Sequence, residues 1–214
     1  MLHINVFVDP MFGENTYVVA PEMPGPCWVV DPGLPPSGPD LLEFVDQQEL
    51  TIEAILCTHA HADHIAGLDL VKDRCPQAKV YLAKAEHGFL TDPDDNMSIL
   101  AGVSLQMHSA IDHDLPHGAV LTLGRTEWQV LDTAGHSPGG RSFFCPSEGV
   151  VFVGDALFDG SIGRTDLPYS SHQGLIRNIQ THLLSLPDET VVYSGHGPTT
   201  TIGRERKSNP FLVE

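Results

Sequence analysis

Four apolar runs in this chain each stop at a histidine or an aspartate, and that recurrence constrains the fold more than any other feature. Residues 53–57 run into Thr58-His59-Ala60-His61-Ala62-Asp63-His64, and residues 127–132 into Thr133-Ala134-Gly135-His136. Residues 150–153 run into Gly154-Asp155, and residues 190–193 into Ser194-Gly195-His196. Such runs read as buried strands, and a rigid sheet displays a site by gathering functional side chains at strand ends and in the loops beyond them. The adjacent glycines let the backbone turn sharply and approach closely.

The donors are His59, His61, Asp63, His64, His136, Asp155 and His196. Five imidazoles and two carboxylates can serve two ions, with one carboxylate bridging. Imidazole with carboxylate suits zinc, iron or manganese, and the lack of cysteine among them argues against a closed structural zinc site. In an extended segment His59 and His61 point the same way. Asp63 and His64 then fall where the chain turns into a helix, so one short loop serves both ions. His136 or His196 alone would be an unremarkable loop histidine, and Asp155 alone a turn cap. It is the constellation that gives them meaning.

The rest of the chain reads as α+β. Residues 15–20 and 27–31 are predicted strands separated by the Pro/Gly-rich turn 21–26. A second Pro/Gly stretch, 32–39, leads into a helix over 40–50 with Asp40 as its N-cap. Residues 64–72, 84–90 and 171–186 are predicted helices. Leu175, Ile176, Ile179, Leu183 and Leu184 form the apolar stripe of the last. Residues 79–83, 119–123 and 142–145 are further strands. Residues 91–118 are the least regular, expected to form a long loop with a short helix that overhangs the site. Two sheets with helices packed outside them are the expected architecture, in one domain over residues 1–214, because no linker interrupts the pattern.

Composition removes several function classes. At 214 residues, 41% hydrophobic and 18% charged, the chain can bury a core without disulfides or structural metal. A net charge of −17 repels phosphate backbones and anionic bilayers, so neither nucleic acid nor membrane is an expected partner. Solubility alone accounts for it. Cys27, Cys57, Cys75 and Cys145 form no metal-type or disulfide spacing. Cys27, Cys57 and Cys145 lie in apolar runs and read as buried reduced thiols. No signal peptide and no run of roughly 18–20 apolar residues is visible. A soluble cytoplasmic protein is expected.

The motifs T-H-A-H-A-D-H-I-A-G, G-H-S-P-G-G, G-D-A-L-F and Ser194-Gly195-His196-Gly197-Pro198, with Val30-Asp31-Pro32-Gly33 before them, resemble the metallo-β-lactamase superfamily. Within it, residues 154–166 and 201–210 are similar to the short glyoxalase II-like (hydroxyacylglutathione hydrolase-like) enzymes. The resemblance implies a four-layer αββα sandwich with a dinuclear site at one sheet edge. It implies that His59, His61 and His136 hold one divalent ion, that Asp63, His64 and His196 hold the other, and that Asp155 bridges. Zinc is the expected metal, with iron or manganese as options. A hydroxide between the ions would attack a small-molecule thioester of the S-lactoylglutathione type, with Asp63 orienting it.

The sequence departs from long glyoxalase II enzymes. Only 18 residues follow His196, so the separate C-terminal helical domain that helps hold glutathione there is not expected. Arg164 stands in place of a glutathione-binding lysine, and Asp166 in place of a tyrosine. Arg164, Arg204 and Lys207 are candidate binders of a substrate carboxylate, or else surface cations in ion pairs. Two other readings remain. Gly163-Arg164-Thr165-Asp166 also resembles the persulfide dioxygenases of the superfamily, in which His59, His136 and Asp155 would hold a single iron. A non-catalytic metal-binding or sensor protein is the third.

Overall fold

The computed structural model describes residues 2–33 and 37–213. Residues 34–36, inside the predicted Pro/Gly stretch, and the two terminal residues lie outside the described residues.

The first sheet has the order β1 (His3–Val8), β2 (Asn15–Ala20), β3 (Gly25–Val30), β4 (Leu50–Leu56), β5 (Lys79–Tyr81). Its first three strands are antiparallel, and β3, β4 and β5 run parallel. The second sheet is built from β6 (Val120–Leu123), β7 (Thr126–Asp132), β8 (Arg141–Cys145), β9 (Val150–Gly154), β12 (Val191–Ser194) and β13 (Thr200–Thr201), in the order β13-β12-β9-β8-β7-β6. A small hairpin, β10 (Leu157–Phe158) with β11 (Ser161–Ile162), follows β9.

Side-chain alternation explains the layers. On β2, Tyr17 and Val19 point into a core shared with the second sheet, while Val18 and Ala20 point the other way into a separate cluster. On β9, Phe152 joins the shared core with Trp28, Trp128 and Phe143, while Val151 and Val153 face away. Strands covered on both faces read as continuous apolar runs rather than alternating ones, which is why β2 and β9 are buried at every position. The outer face of the first sheet is covered by α1 (Ser37–Gln47) and α3 (Leu68–Arg74), through Leu41, Val45, Leu68 and Val71. The outer face of the second is covered by α4 (His172–Asn178), a π-type turn over Ile179–Leu183 and α5 (Ile202–Ser208), through Leu175, Ile179, Leu183 and Ile202. Three apolar layers between four structural layers make the αββα sandwich that the sequence resemblance implies.

Several boundaries differ from the sequence expectation. α1 begins at Ser37, so Asp40 sits in the first turn rather than at the N-cap. Pro39 fits there because an N-terminal helical residue needs no free N–H. The helix expected over 64–72 is two pieces, α2 (Ala62–Ile65) and α3, parted at Gly67. A Cβ at Gly67 would press within 2.5 Å of the Gly33 carbonyl oxygen. The helix expected over 84–90 is a 3-10 helix (Lys84–Thr91), and the one expected to reach 186 leaves α-geometry after Asn178. Within residues 91–118 the short helix is a 3-10 turn, Ser98–Ala101.

Candidate metal centre

All four motif-bearing strand ends open on the same edge of the sandwich. β4 is followed by His59 and His61, and α2 carries Asp63 and His64. β7 leads to His136, β9 to Asp155 and β12 to His196. In the parallel β9–β12 pair, Tyr193 faces Phe152 but Ser194 faces Gly154, so β9 carries one extra residue at its end. Such a bulge bends a strand and re-aims the side chains beyond it, here that of Asp155. Gly195 is required beside it, because a Cβ there would land on Asp155 Oδ1 and lie 2.7 Å from His64 Cε1.

Two groups of three donors result. One donor atom each of His59, His61 and His136 lies within 4.8 Å of the others, and the same holds for Asp63, His64 and His196. Asp155 lies between them. Its Oδ1 is 3.3 Å from His64 Nε2, and its Oδ2 is 3.6 Å from both His136 Nε2 and His196 Nε2. The structure therefore brings together all seven residues singled out as donors.

The imidazoles are held from behind. His59 Nδ1 is 3.0 Å from Thr58 Oγ1, His64 Nδ1 3.0 Å from Asp31 Oδ2, His136 Nδ1 2.8 Å from the Arg164 carbonyl and His196 Nδ1 3.2 Å from the Phe12 carbonyl. Each of these rings turns Nε2 inward. His61 is the reverse, with Nδ1 inward, 2.9 Å from His136 Nε2. A hydrogen bond on the outer nitrogen fixes the tautomer and orients the ring.

The interior has the character of a cation cradle. His59 Nε2, His64 Nε2 and Asp155 Oδ1 are buried and have no hydrogen-bond partner. Buried polar atoms without partners cost roughly 1–3 kcal/mol each, and their convergence on one volume fits bound cations. Burial, with His136 beside it, lowers the His61 pKa to about 3, and His59 is pushed well below its ordinary range by burial with His64 and His61. Both offer free lone pairs. Burial also opposes charge on His64 and His196, but Asp63, Asp155 and, for His64, Asp31 outweigh it and hold both above the ordinary histidine range. At the second group a proton competes for the place a metal ion would take.

Three buried carboxylates near the donors are not among the predicted site residues, although Asp31 belongs to the motif Val30-Asp31-Pro32-Gly33. Asp31, at positive φ just beyond β3, accepts from Thr58 N at 2.6 Å and Thr58 Oγ1 at 2.7 Å besides facing His64. It lies near enough to His59 and His64 to count as a further donor, but its oxygens are occupied and it serves as a brace. Glu86, fully buried, accepts from Ala60 N at 2.5 Å and Gly139 N at 2.6 Å, tying the His59–His61 loop to the His136 loop. Glu14 lies buried next to Thr16. Asp31 does share the signature of Asp155, a carboxylate at the end of an apolar run. Glu86 and Glu14 had no such signal.

A cavity of about 530 Å³ opens over the donors, lined by His61, Asp63, His136, Asp155 and His196 on its floor. Of the three candidate substrate cations only Arg164 lines it. Arg204 and Lys207 sit on α5, paired with Asp159 at 2.8 Å and Asp188 at 3.8 Å. Part of the irregular segment, residues 96–105, does overhang the site. His108, His113 and His117 do not line the cavity.

The family model of the metallo-beta-lactamase superfamily matches residues 10–196. A probable metallo-hydrolase of Bacillus subtilis, YqgX, is 40% identical over 206 residues, 96% of this chain and 94% of that protein. The hydroxyacylglutathione hydrolase GloC of Haemophilus influenzae is 33% identical over 190 residues, 86% of each chain. Among solved structures, the BLEG-1 B3 metallo-beta-lactamase superposes with a TM-score of 0.92 at 40% identity over 100% of both chains. TTHA1623 in a di-iron-bound form gives 0.82 at 36% identity, covering 97% of this chain and 98% of that one. No helix among the described residues is long and apolar enough to cross a membrane.

Proposed function

Since the chain belongs to the metallo-β-lactamase superfamily and carries a His/Asp cluster able to bind metal ions, we propose that this metal-dependent hydrolase is a two-ion thioesterase of the glyoxalase II type. The observation that carries this reading is the pair of three-donor groups sharing Asp155, with three buried polar atoms left without partners between them. His59, His61 and His136 would hold one ion and Asp63, His64 and His196 the other. Zinc is proposed, with iron or manganese compatible with the same donors. When bound, such ions lower the pKa of water toward neutrality and polarise a carbonyl.

The chain's own part is positioning. Asp63 Oδ2 is 3.2 Å from His196 Nε2, which leaves Oδ1 to accept a hydrogen bond from the attacking water and orient it. Water oxygen joins the acyl carbon, the C–S bond breaks, and the sulfur leaves with the bonding pair and takes up a proton. A thiol of reference pKa about 8.5 leaves as thiolate without a strong general acid. Similarity to GloC supports the thioester class. The substrate is proposed to be a small-molecule thioester, with the S-2-hydroxyacyl thioester S-lactoylglutathione as the first probe.

The single-iron dioxygenase reading would leave Asp63, His64 and His196 without metal, and their convergence argues for two ions. The likeness to BLEG-1 makes a β-lactam the second substrate to test. The experiment is elemental analysis of the purified protein together with S-lactoylglutathione and β-lactam hydrolysis. Near two ions per chain and thioester cleavage are expected. One iron, no hydrolysis and oxygen uptake with glutathione persulfide would overturn the proposal.

A further inference from the structure

We propose that the body of the substrate is an uncharged apolar chain, so that this enzyme prefers medium-chain acyl thioesters of a neutral thiol to those that, like S-lactoylglutathione, join a short acyl group to a charged thiol. This deepens the thioesterase reading and rests on it. The walls of the 530 Å³ cavity above the donors are Met11, Phe12, Leu100, Val103, Leu105 and Leu167. Four of them stand exposed, at 73%, 48%, 71% and 53% for Met11, Phe12, Leu100 and Val103. Large apolar groups held open to water around a concave site mark a surface built to be covered.

These walls are held, not loose. Asp9 Oδ2 accepts from Met11 N at 3.1 Å and Phe12 N at 2.5 Å, an Asx-type turn. The Phe12 carbonyl in turn receives His196 Nδ1, so one wall is bonded directly to a metal donor. On the other side Asn96 Nδ2 donates to the Phe89 and Leu105 carbonyls at 2.9 and 3.0 Å, and its Oδ1 accepts from Ser98 N at 3.0 Å. Ser98 Oγ accepts from Leu105 N at 3.0 Å. Asn96 also lines the cavity, but its amide is fully used in shaping the loop.

The cations do not compensate. Arg164 makes a two-pronged pair with Asp166, both contacts at 2.7 Å, and Arg204 and Lys207 are paired away from the cavity. Among the described residues lining the cavity, Arg164 is the one Lys or Arg side chain. A substrate bearing several carboxylates would meet a strongly acidic protein with no uncommitted arginine or lysine on the cavity wall. An alkyl chain lying from the donors toward Leu100 and Val103 would bury apolar surface on both sides.

The test uses the metal-loaded protein and thioesters of one small neutral thiol, with acyl chains of two to ten carbons, beside S-lactoylglutathione. Burying a methylene contributes about 0.8 kcal/mol, so kcat/KM is expected to rise up to about fourfold per methylene before levelling. S-Lactoylglutathione is expected to fall at least about tenfold below the best acyl chain. Leu100→Asp, at an exposed position where folding is not at stake, should flatten the series. Binding of hexanoate, octanoate and decanoate, followed by calorimetry, should tighten with length. If nothing is cleaved but these carboxylates bind with a chain-length dependence, the hydrolase reading fails and the apolar site stands. If S-lactoylglutathione is the better substrate, or the thioesters are cleaved at rates independent of chain length, the apolar site is refuted while the hydrolase reading stands.

Discussion

Replacing Glu14 by glutamine tests a buried carboxyl group through the pH dependence of stability. Glu14 is fully buried, its Oε1 has no partner, and its Oε2 has the Thr16 hydroxyl at 3.1 Å. Burial, reinforced by Asp31 and Asp63 and only partly offset by His64 and Thr16, raises its pKa from 4.5 to about 10. Between those values the folded chain keeps a proton that the unfolded chain has released. Stability then falls as pH rises through that window, by about 1.4 kcal/mol per pH unit for one group. From pH 4.5 to 7 the loss is roughly 3 kcal/mol. Glutamine carries no such proton. The stability gap of variant over wild type should widen by about 1.4 kcal/mol per unit between pH 5 and 8. At pH 7 the variant should gain roughly 2 kcal/mol, after about 1 kcal/mol is subtracted for an amide hydrogen without a partner. For a chain of this length that is a rise of about 4–8 °C in Tm. Urea unfolding of chelator-treated protein at pH 5, 6, 7 and 8 measures the gap. A gap that stays flat over those four values refutes a buried neutral Glu14.

The braces around the donors and the protons they hold set three further outcomes. Asp31→Asn should weaken binding at the group containing His64, which Asp31 contacts directly, by about 10–100-fold, and less at the His59–His61–His136 group, which it reaches only through Thr58, as read by metal titration. Glu86→Ala strips the acceptor from Ala60 N and Gly139 N and should destabilise the fold by about 3–5 kcal/mol, seen in denaturant unfolding. Because Asp63 and Asp155 outweigh burial and raise the pKa values of His64 and His196 above the ordinary histidine range, protons compete with the second ion for these rings. Its affinity should therefore fall as pH is lowered, about tenfold per unit for each proton displaced, measured by dye competition at pH 6, 7 and 8.

The strands most legible in the sequence are those buried on both faces. Asn15–Ala20 is predicted and found with the same limits, because an uninterrupted apolar run between turn residues has few other uses. β1 escapes notice for the opposite reason. It is an edge strand with His3, Val6 and Val8 exposed, so its hydrophobic signal is diluted. β10, β11 and β13 have two residues each and carry no periodicity at all. α5 buries only Ile202, Gly203 and Glu205 beneath a charged surface. Where helices break, the cause is tertiary. Gly67 donates its N–H to the Pro32 carbonyl at 2.9 Å, a bond between residues too far apart for any helical window of the sequence to contain both.

The candidate site divides along the same line. The seven donors are legible because each lies at or within a short motif just beyond a strand end, and strand ends are local events. Their bracing contacts are not. Asp31 meets His64 across 33 positions and Glu86 meets Gly139 across 53, while His136 and His196 are held by main-chain carbonyls that any residue could supply. For the cations, local reading leaves two uses open, substrate binding or ion pairing. Arg164, Arg204 and Lys207 look available until Asp166, Asp159 and Asp188 are seen beside them. An apolar wall has neither fixed spacing nor a required residue type, since Met11, Leu100 and Leu167 need only be large and to converge. Residues that carry charge or bind metal therefore announce a chemistry in sequence, whereas the groups that select its substrate become readable only once the chain has folded around the site.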